Sequence, residues 1–180
     1  LVDDLFEYTK VRQANTPLSI VTFDMQQLIA QIVVDFELDA HKKELEIEFD
    51  PKPTALLMEG DTEKLVRVFD NLLSNALKYG VDGTKIKITS EKVGSEVIIT
   101  VKNNGKEIPS DALNSLFDRF YRVEESRSQQ TGGTGLGLAI AQSIVVLHHG
   151  HIYATSENGW TSFVIHLPLA GTTNTHLKEA

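Results

Sequence analysis

A run of small residues, Thr131-Gly132-Gly133-Thr134-Gly135-Leu136-Gly137-Leu138, leads without a break into the apolar stretch Ala139 to Leu147. Glycines that open a helix expose unpaired backbone N–H groups at the positive end of the helix dipole, an arrangement suited to a phosphate. The spacing does not fit the dinucleotide fingerprint cleanly, and the Gly-Lys-Ser/Thr ending of a Walker A loop is absent. The polar segment ahead of it, 124–131, is unlike a strand, which counts against a Rossmann unit. On these residues alone, a phosphate cradle and an ordinary glycine turn both stand.

A second set of residues lies upstream. Gly60-Asp61 opens a long helical pattern that runs to Tyr79, with Asp61 as N-cap and Glu63 in the first turn. Leu65, Phe69, Leu72, Leu73 and Ala76 share its apolar side. At about 100° per residue, Asn71, Asn75 and Lys78 fall within about 60° of one another on a different side, with Tyr79 at the edge between them. A carboxamide oxygen ligates a hard cation such as Mg²⁺, and a lysine neutralises a β- or γ-phosphate. The strip therefore reads as half of a metal-triphosphate site, or, taken alone, as a solvated helix face.

The elements that must position these residues follow from periodicity. Leu1, Val2, Leu5, Tyr8 and Val11 have helical spacing over Leu1 to Gln13, a helix too short to be stable alone. Leu18 to Phe23 then links it to the body. Asp24 is the N-cap of a helix carrying Leu28, Ile29, Ile32, Phe36 and Ala40 and ending near His41. Glu44 to Asp50 alternates apolar and acidic residues like a strand with one wet face, and Thr54 to Met58 is a second candidate strand. Thr84 to Lys92 and Val97 to Lys102 read as a hairpin around Gly94. Pro109 opens a short helix through Leu116, and Gly150 stops the glycine-rich helix. His151 to Ser156 and Thr161 to Leu167 close the fold, and 171–180 reads as a loose tail. Helices mixed with mostly hairpin strands predict an α+β fold, one helical layer on a largely antiparallel sheet.

Composition narrows the function. The 180 residues, 41% of them apolar, suffice for one core. A net charge of −8 disfavours nucleic acid as the main partner, with Arg119, Arg122 and Arg127 a local exception. Cysteine is absent, which removes disulfides and thiolate metal sites. No stretch reaches the 18 apolar residues of a membrane span, and the N-terminus has no signal-peptide pattern, so the chain is expected to be soluble.

Three motifs then converge. Asp70-Asn-Leu-Leu-Ser-Asn-Ala-Leu-Lys-Tyr79 closely resembles the N box of sensor histidine kinases, Leu116-Phe-Asp-Arg-Phe-Tyr-Arg122 their F box, and Gly133-Thr-Gly-Leu-Gly-Leu138 their G2 box. All occur in the family's order, and the resemblance spans about Asp24 to Pro168. It implies the ATP-binding catalytic domain of a two-component histidine kinase, a two-layer α/β sandwich of the Bergerat (GHKL) type with three helices on one face of the sheet. The chain is also similar to the vancomycin-resistance sensor kinases, which implies a role in glycopeptide resistance.

By position, the resemblance gives Asn75 and Asn71 to Mg²⁺, Lys78 to the phosphates and Tyr79 to the adenine or ribose. Asn71 stands where hydrolytic relatives keep a water-activating glutamate, which a kinase with a histidine nucleophile does not require. Gly133, Thr134, Gly135, Leu136, Gly137 and Leu138 would line the phosphates. Gly105, Ile108, Phe117, Phe120, Tyr121 and Thr161 complete the implied nucleotide set. Arg119 or Arg122 would offset charge on the γ-phosphoryl, or pair on the surface with Asp118 or Glu124. The implied ATP lid covers about 117–132, and Glu124 to Gln130 is expected to be mobile.

Two boxes depart from the family. Asn103-Asn104-Gly105-Lys106-Glu107 stands for the expected Asp-x-Gly-x-Gly of the G1 box, whose aspartate receives the adenine amino group. Asn103 still accepts through its oxygen but without charge, a loss on the order of 1 kcal/mol. Weak ATP binding is the expectation. Trp160 replaces a glycine of the last motif and is either a packed turn residue or a contact for another domain.

None of the six histidines lies in the family's His-Glu-x-x-x-Pro context. The phosphoacceptor is thus expected on a separate dimerisation domain, with Leu1 to 15 the stub of its second helix. Implied partners are that domain, in a homodimer, and a cognate response regulator, in the cytoplasmic part of a membrane-anchored bacterial sensor. His148, His149 and His151 read as a dipole interaction beside Gly150 rather than as a metal cluster. A nucleotide-blind regulatory module with an eroded G1 box, and another GHKL ATPase, remain alternatives.

Overall fold

A computed structural model describes residues 2–12, 17–123 and 133–171. The expectation of lid mobility at 124–130 and the tail beyond residue 171 lie outside them. Helix α1 (Val2–Arg12) precedes a short strand β1 (Val21–Asp24), helix α2 (Met25–Lys42), and strands β2 (Glu46–Phe49) and β3 (Leu57–Gly60). Helix α3 (Thr62–Tyr79), the hairpin β4 (Lys85–Val93) and β5 (Glu96–Asn104), and helix α4 (Ser110–Leu113) follow. Helix α5 (Gly137–Leu147) and the hairpin β6 (His151–Glu157) and β7 (Trp160–Pro168) complete the fold.

The main sheet has the order β2-β4-β5-β7-β6, with only the β2–β4 pair parallel. Period-two alternation decides its inner face: Val97, Ile99 and Val101 of β5 and Phe163, Ile165 and Leu167 of β7 are buried. They meet Ile29 and Ile32 of α2, Leu65, Phe69, Leu72 and Leu73 of α3, and Ile140 and Ile144 of α5 in one core. Truncating a leucine as enclosed as Leu72 costs about 2–5 kcal/mol. The expected two-layer arrangement is the one observed, with helices over a mixed, mostly antiparallel sheet.

Three boundaries differ from the sequence reading. The linker expected at Leu18 to Phe23 contains β1, which pairs antiparallel with β3 as a separate two-stranded sheet. The strand expected at Thr54 to Met58 starts later, at Leu57, because buried Gln26 holds the preceding loop. Its Nε2 donates to the carbonyls of Lys52 and Thr54, and its Oε1 accepts from the Lys52 N–H. The helix expected from Pro109 to Leu116 is regular only over Ser110–Leu113.

The N-caps are as expected: the Asp24 carboxylate accepts from the Gln26 N–H at 3.0 Å and that of Asp61 from Lys64 at 3.2 Å. Helix α1 is held by packing: Tyr8 and Val11 are buried, while Val2, Leu5 and Phe6 of the same helix stay exposed.

Candidate nucleotide-binding site

The polar strip on α3 exists because the opposite side of that helix is consumed by the core. Asn71, Asn75 and Lys78 are half-buried and Tyr79 is exposed at the helix end. The glycine segment lies along this strip. A Cβ added at Gly137 would stand 3.0 Å from the Asn71 Oδ1, and one added at Gly133 would stand 3.0 Å from the Lys78 Nζ. Asn71 and Lys78 are separated by about 10 Å along the helix, so the segment 133–137 spans nearly two turns of α3. Motifs some sixty residues apart in sequence thus form one groove.

Its backbone shape depends on one glycine. Gly135 has φ +72°, and an added Cβ would meet the Phe120 backbone at 2.9 Å. The Gly135 carbonyl accepts the Phe120 N–H at 2.9 Å, which ties the end of the F box to the glycine loop. Phe120, at φ 60°, points its ring outward and is exposed. Phe117 packs edge-on against Phe163, and Tyr121 and Leu138 are half-buried against the core. Leu136 is fully buried, an anchor for the loop and not a surface contact.

On the same side chain, the Asn71 Nδ2 is buried without a hydrogen-bond partner among the described residues. Buried amides are nearly always paired, so an orphan beside phosphate-type glycines marks a position where a ligand completes the bonding. Oxygen donors from two carboxamides suit Mg²⁺, and Lys78 suits a phosphate as a point charge. The residues present fit a metal-nucleotide.

The other end of the groove is made by the altered G1 box. Gly105 comes so near the end of α3 that a Cβ would stand 2.9 Å from the Tyr79 carbonyl. Asn103 is buried, and its Nδ2 donates to the Asn104 carbonyl at 3.1 Å. That bond turns Oδ1 into the free face of the amide, an acceptor for a base amino group. Glu107 is exposed. Ser156 is the residue that sequence reasoning missed: its Oγ accepts the Ile108 N–H at 2.9 Å and lies 3.2 Å from the Thr161 Oγ1. A polar residue at an inward position of β6, in step with Ile152 and Ala154, was the available signal.

The arginines separate. Arg119 places its guanidinium 5.7 Å from the Tyr8 ring centre, a cation–π contact with α1. Arg122 is half-buried at the margin of the described lid segment. Helix α1 also reaches the loop itself. Asp4 accepts from the Thr134 hydroxyl at 2.8 Å and pairs with Arg67 at 2.9 Å, while Glu7 takes the other side of Arg67 at 2.8 Å. Beside them, burial pushes the Asp70 carboxyl above its usual range, with the Arg67 charge pulling the other way.

Trp160 packs on the open face of the sheet beneath Lys87 and Lys102, whose Nζ atoms lie 5.7 and 5.0 Å from its ring centre. His148 is a correction to the dipole reading. It is buried, its Nδ1 donates to the Ile144 carbonyl at 2.8 Å, and its Nε2 accepts the Asp61 N–H at 3.0 Å. Burial lowers its pKa, so it acts as a neutral bridge between α5 and α3, not as a cation.

Comparison with known proteins places this arrangement of glycine segment, carboxamide strip and F box. Residues 60–171 match the family described as histidine kinase-, DNA gyrase B- and HSP90-like ATPase, and the chain belongs to that family. Within it, the chain is a sensor histidine kinase catalytic domain. It is 41% identical over 170 residues to the sensor protein VanS of Enterococcus faecium, covering 93% of this chain and 43% of that one. It therefore spans less than half of that relative's length. Among solved structures it resembles the Acinetobacter baumannii histidine kinase AdeS, with TM-score 0.78 and 26% identity over 94% of this chain and 77% of that one. Full-length ShkA in complex with AMPPNP matches with TM-score 0.79 and 25% identity, over 93% of this chain and 35% of that one. No helix among the described residues is long and apolar enough to cross a membrane.

Proposed function

We propose that this chain binds Mg-ATP between α3 and the glycine segment and donates the γ-phosphoryl to a histidine on a separate dimerisation domain. The observation that carries the reading is the groove itself. Asn71, with a buried unpartnered amide, faces Gly137, and Lys78 faces Gly133. Asn75 and Asn71 would hold the metal, which when bound offsets phosphate charge. Lys78 neutralises the phosphates, and the backbone amides of the glycine segment hold them in line. A P–N bond to the imidazole forms as the bond from γ-phosphorus to the bridging oxygen breaks, and ADP leaves. Positioning and charge neutralisation carry the catalysis in such transfers.

Helix α1 would belong to the dimerisation hairpin as its second helix. Its exposed Val2, Leu5 and Phe6 support this, since an apolar face left open on a docked helix suits a further helix of a hairpin. In the full-length sensor this domain would serve a homodimer, anchored in a membrane through other segments, and a response regulator. Likeness to VanS supports a place in glycopeptide-resistance signalling, which induction of resistance in a deletion strain tests.

Calorimetric titration with Mg-ATP, with Asn75→Ala as control, tests the central claim. Saturable binding weaker than low micromolar, lost in the variant, is expected. Absence of any binding would leave a regulatory module instead. Stable phosphohistidine on the isolated chain would overturn the assignment of the phosphoacceptor to another domain.

A further inference from the structure

We propose that Glu96, His151 and His166 form a binding site for a divalent transition metal of the zinc class on the open face of the sheet. The topology assembles them. His151 and His166 are direct cross-strand partners in the β6–β7 pair, and His166 stands opposite Ile98 in the β5–β7 pair. Glu96, two residues before Ile98, points to the same face as Ile98. That face is the one turned away from the helices, since Val97, Ile165, Leu167 and Ile152 beside them point into the core.

The side chains are already gathered. The His151 and His166 rings stack with centres 4.3 Å apart and planes 19° apart, and His166 Nδ1 lies 3.1 Å from the Glu96 Oε2. One donor atom from each of the three residues lies within 4.8 Å of the others. Two imidazoles and a carboxylate are an established donor set for tetrahedral Zn²⁺, with bonds of about 2.0–2.2 Å. Such bonds bring donors to about 3.4 Å of one another, a closure that χ rotation supplies without moving the strands. Tyr153 flanks both imidazoles, with ring centres 6.3 Å from His151 and 5.9 Å from His166, and limits where they can turn. His151 is exposed, which leaves an entry path and a fourth position for water.

The site is distinct from the nucleotide groove. Glu96 and Asn103 lie at opposite ends of β5, about 23 Å apart at the usual rise per residue. The ion would join three neighbouring strands and fasten β6, the free edge of the sheet, to β5 across β7.

The test uses the untagged chain. Titration with Co²⁺ should give one equivalent bound and the intense visible absorption of a tetrahedral ion, displaced by Zn²⁺. His151→Ala and His166→Ala should abolish the band, Glu96→Gln should weaken binding, and His149→Ala, an exposed neighbour, should leave it intact. Zn²⁺ should raise the melting midpoint of the parent and not that of His151→Ala or His166→Ala, with metal-free melting showing that each variant folds. Absence of stoichiometric binding, binding that survives both histidine variants, full affinity in Glu96→Gln, or loss with His149→Ala would each overturn the site.

Discussion

The two ends of α3 are built to opposite rules. At its N-terminus the capping residue is bonded within the protein: the Asp61 carboxylate accepts from Ser19 and Lys64, and the Asp61 N–H donates to His148. Toward its C-terminus the same helix carries Asn71, which faces Gly137 and has a buried amide with no partner among the described residues, then half-buried Asn75, and Lys78 facing Gly133. The Asp61 end is tied into the protein by these bonds. The other leaves a buried amide unpaired, at a cost that a ligand accepting from it would offset.

That contrast breaks most visibly at Asn75. Asn75→Ala should reduce phosphoryl transfer to a dimerisation domain supplied in trans by at least about 100-fold, since a ligand of the charge-neutralising centre is removed. Its melting midpoint should stay within about 2 °C of the parent, because no core contact is lost. A large fall in stability with activity retained would reverse the assignment of this end to function.

His148→Ala should do the converse. Leaving the Asp61 N–H and the Ile144 carbonyl without their shared partner, and opening a cavity between α3 and α5, costs about 2–4 kcal/mol by denaturant unfolding. Nucleotide affinity of the folded variant should change by less than about two-fold, because the site lies at the far end of the helix. The pH dependence has a definite sign. Burial holds the folded pKa of His148 below its ordinary value, so the unfolded chain takes up the proton first. The parent should lose stability as pH falls below about 6.5, and the variant should lack that component.

How far this contrast could be seen in the sequence depends on distance along the chain. Helix α3 was legible throughout, because a 3.6-residue period, the Asp61 cap and the polar strip are all local. Strand β1 was not: it has four residues, and its pairing with β3 lies more than thirty residues ahead. The displaced start of β3 depends on Gln26, and the role of His148 on an N–H 87 positions away. Contact between Asp4 and Thr134 spans 130 positions and has no local trace. The candidate site itself was legible as a set of motifs, whereas the partnerless amide of Asn71 and the hub at Ser156 required the packed structure.

Gly135 tests whether the glycine segment is shaped by the fold or by the ligand. Its φ is +72°, and an added Cβ would stand 2.9 Å from the Phe120 backbone. Gly135→Ala should cost about 1–3 kcal/mol of stability, and it should weaken Mg-ATP binding as well, because the loop must shift away from α3. Unchanged stability with lost binding would mean that the loop takes its shape only around the ligand.

The smallest effect is expected at the adenine end, where a charge and not a contact is missing. Asn103 has its Nδ2 bonded to the Asn104 carbonyl, so only Oδ1 is left to receive a base amino group. Asn103→Asp keeps the size of the side chain and adds charge assistance to that hydrogen bond, a gain of about 1 kcal/mol, or roughly five-fold in affinity. The Asn104 carbonyl then loses its donor from this side chain, but it still receives the Val81 N–H at 3.0 Å. Titration with Mg-ATP and with Mg-GTP separates the causes. Tightening confined to the adenine nucleotide assigns Asn103 to the base, whereas equal tightening for both, or none, would place the base elsewhere in the groove.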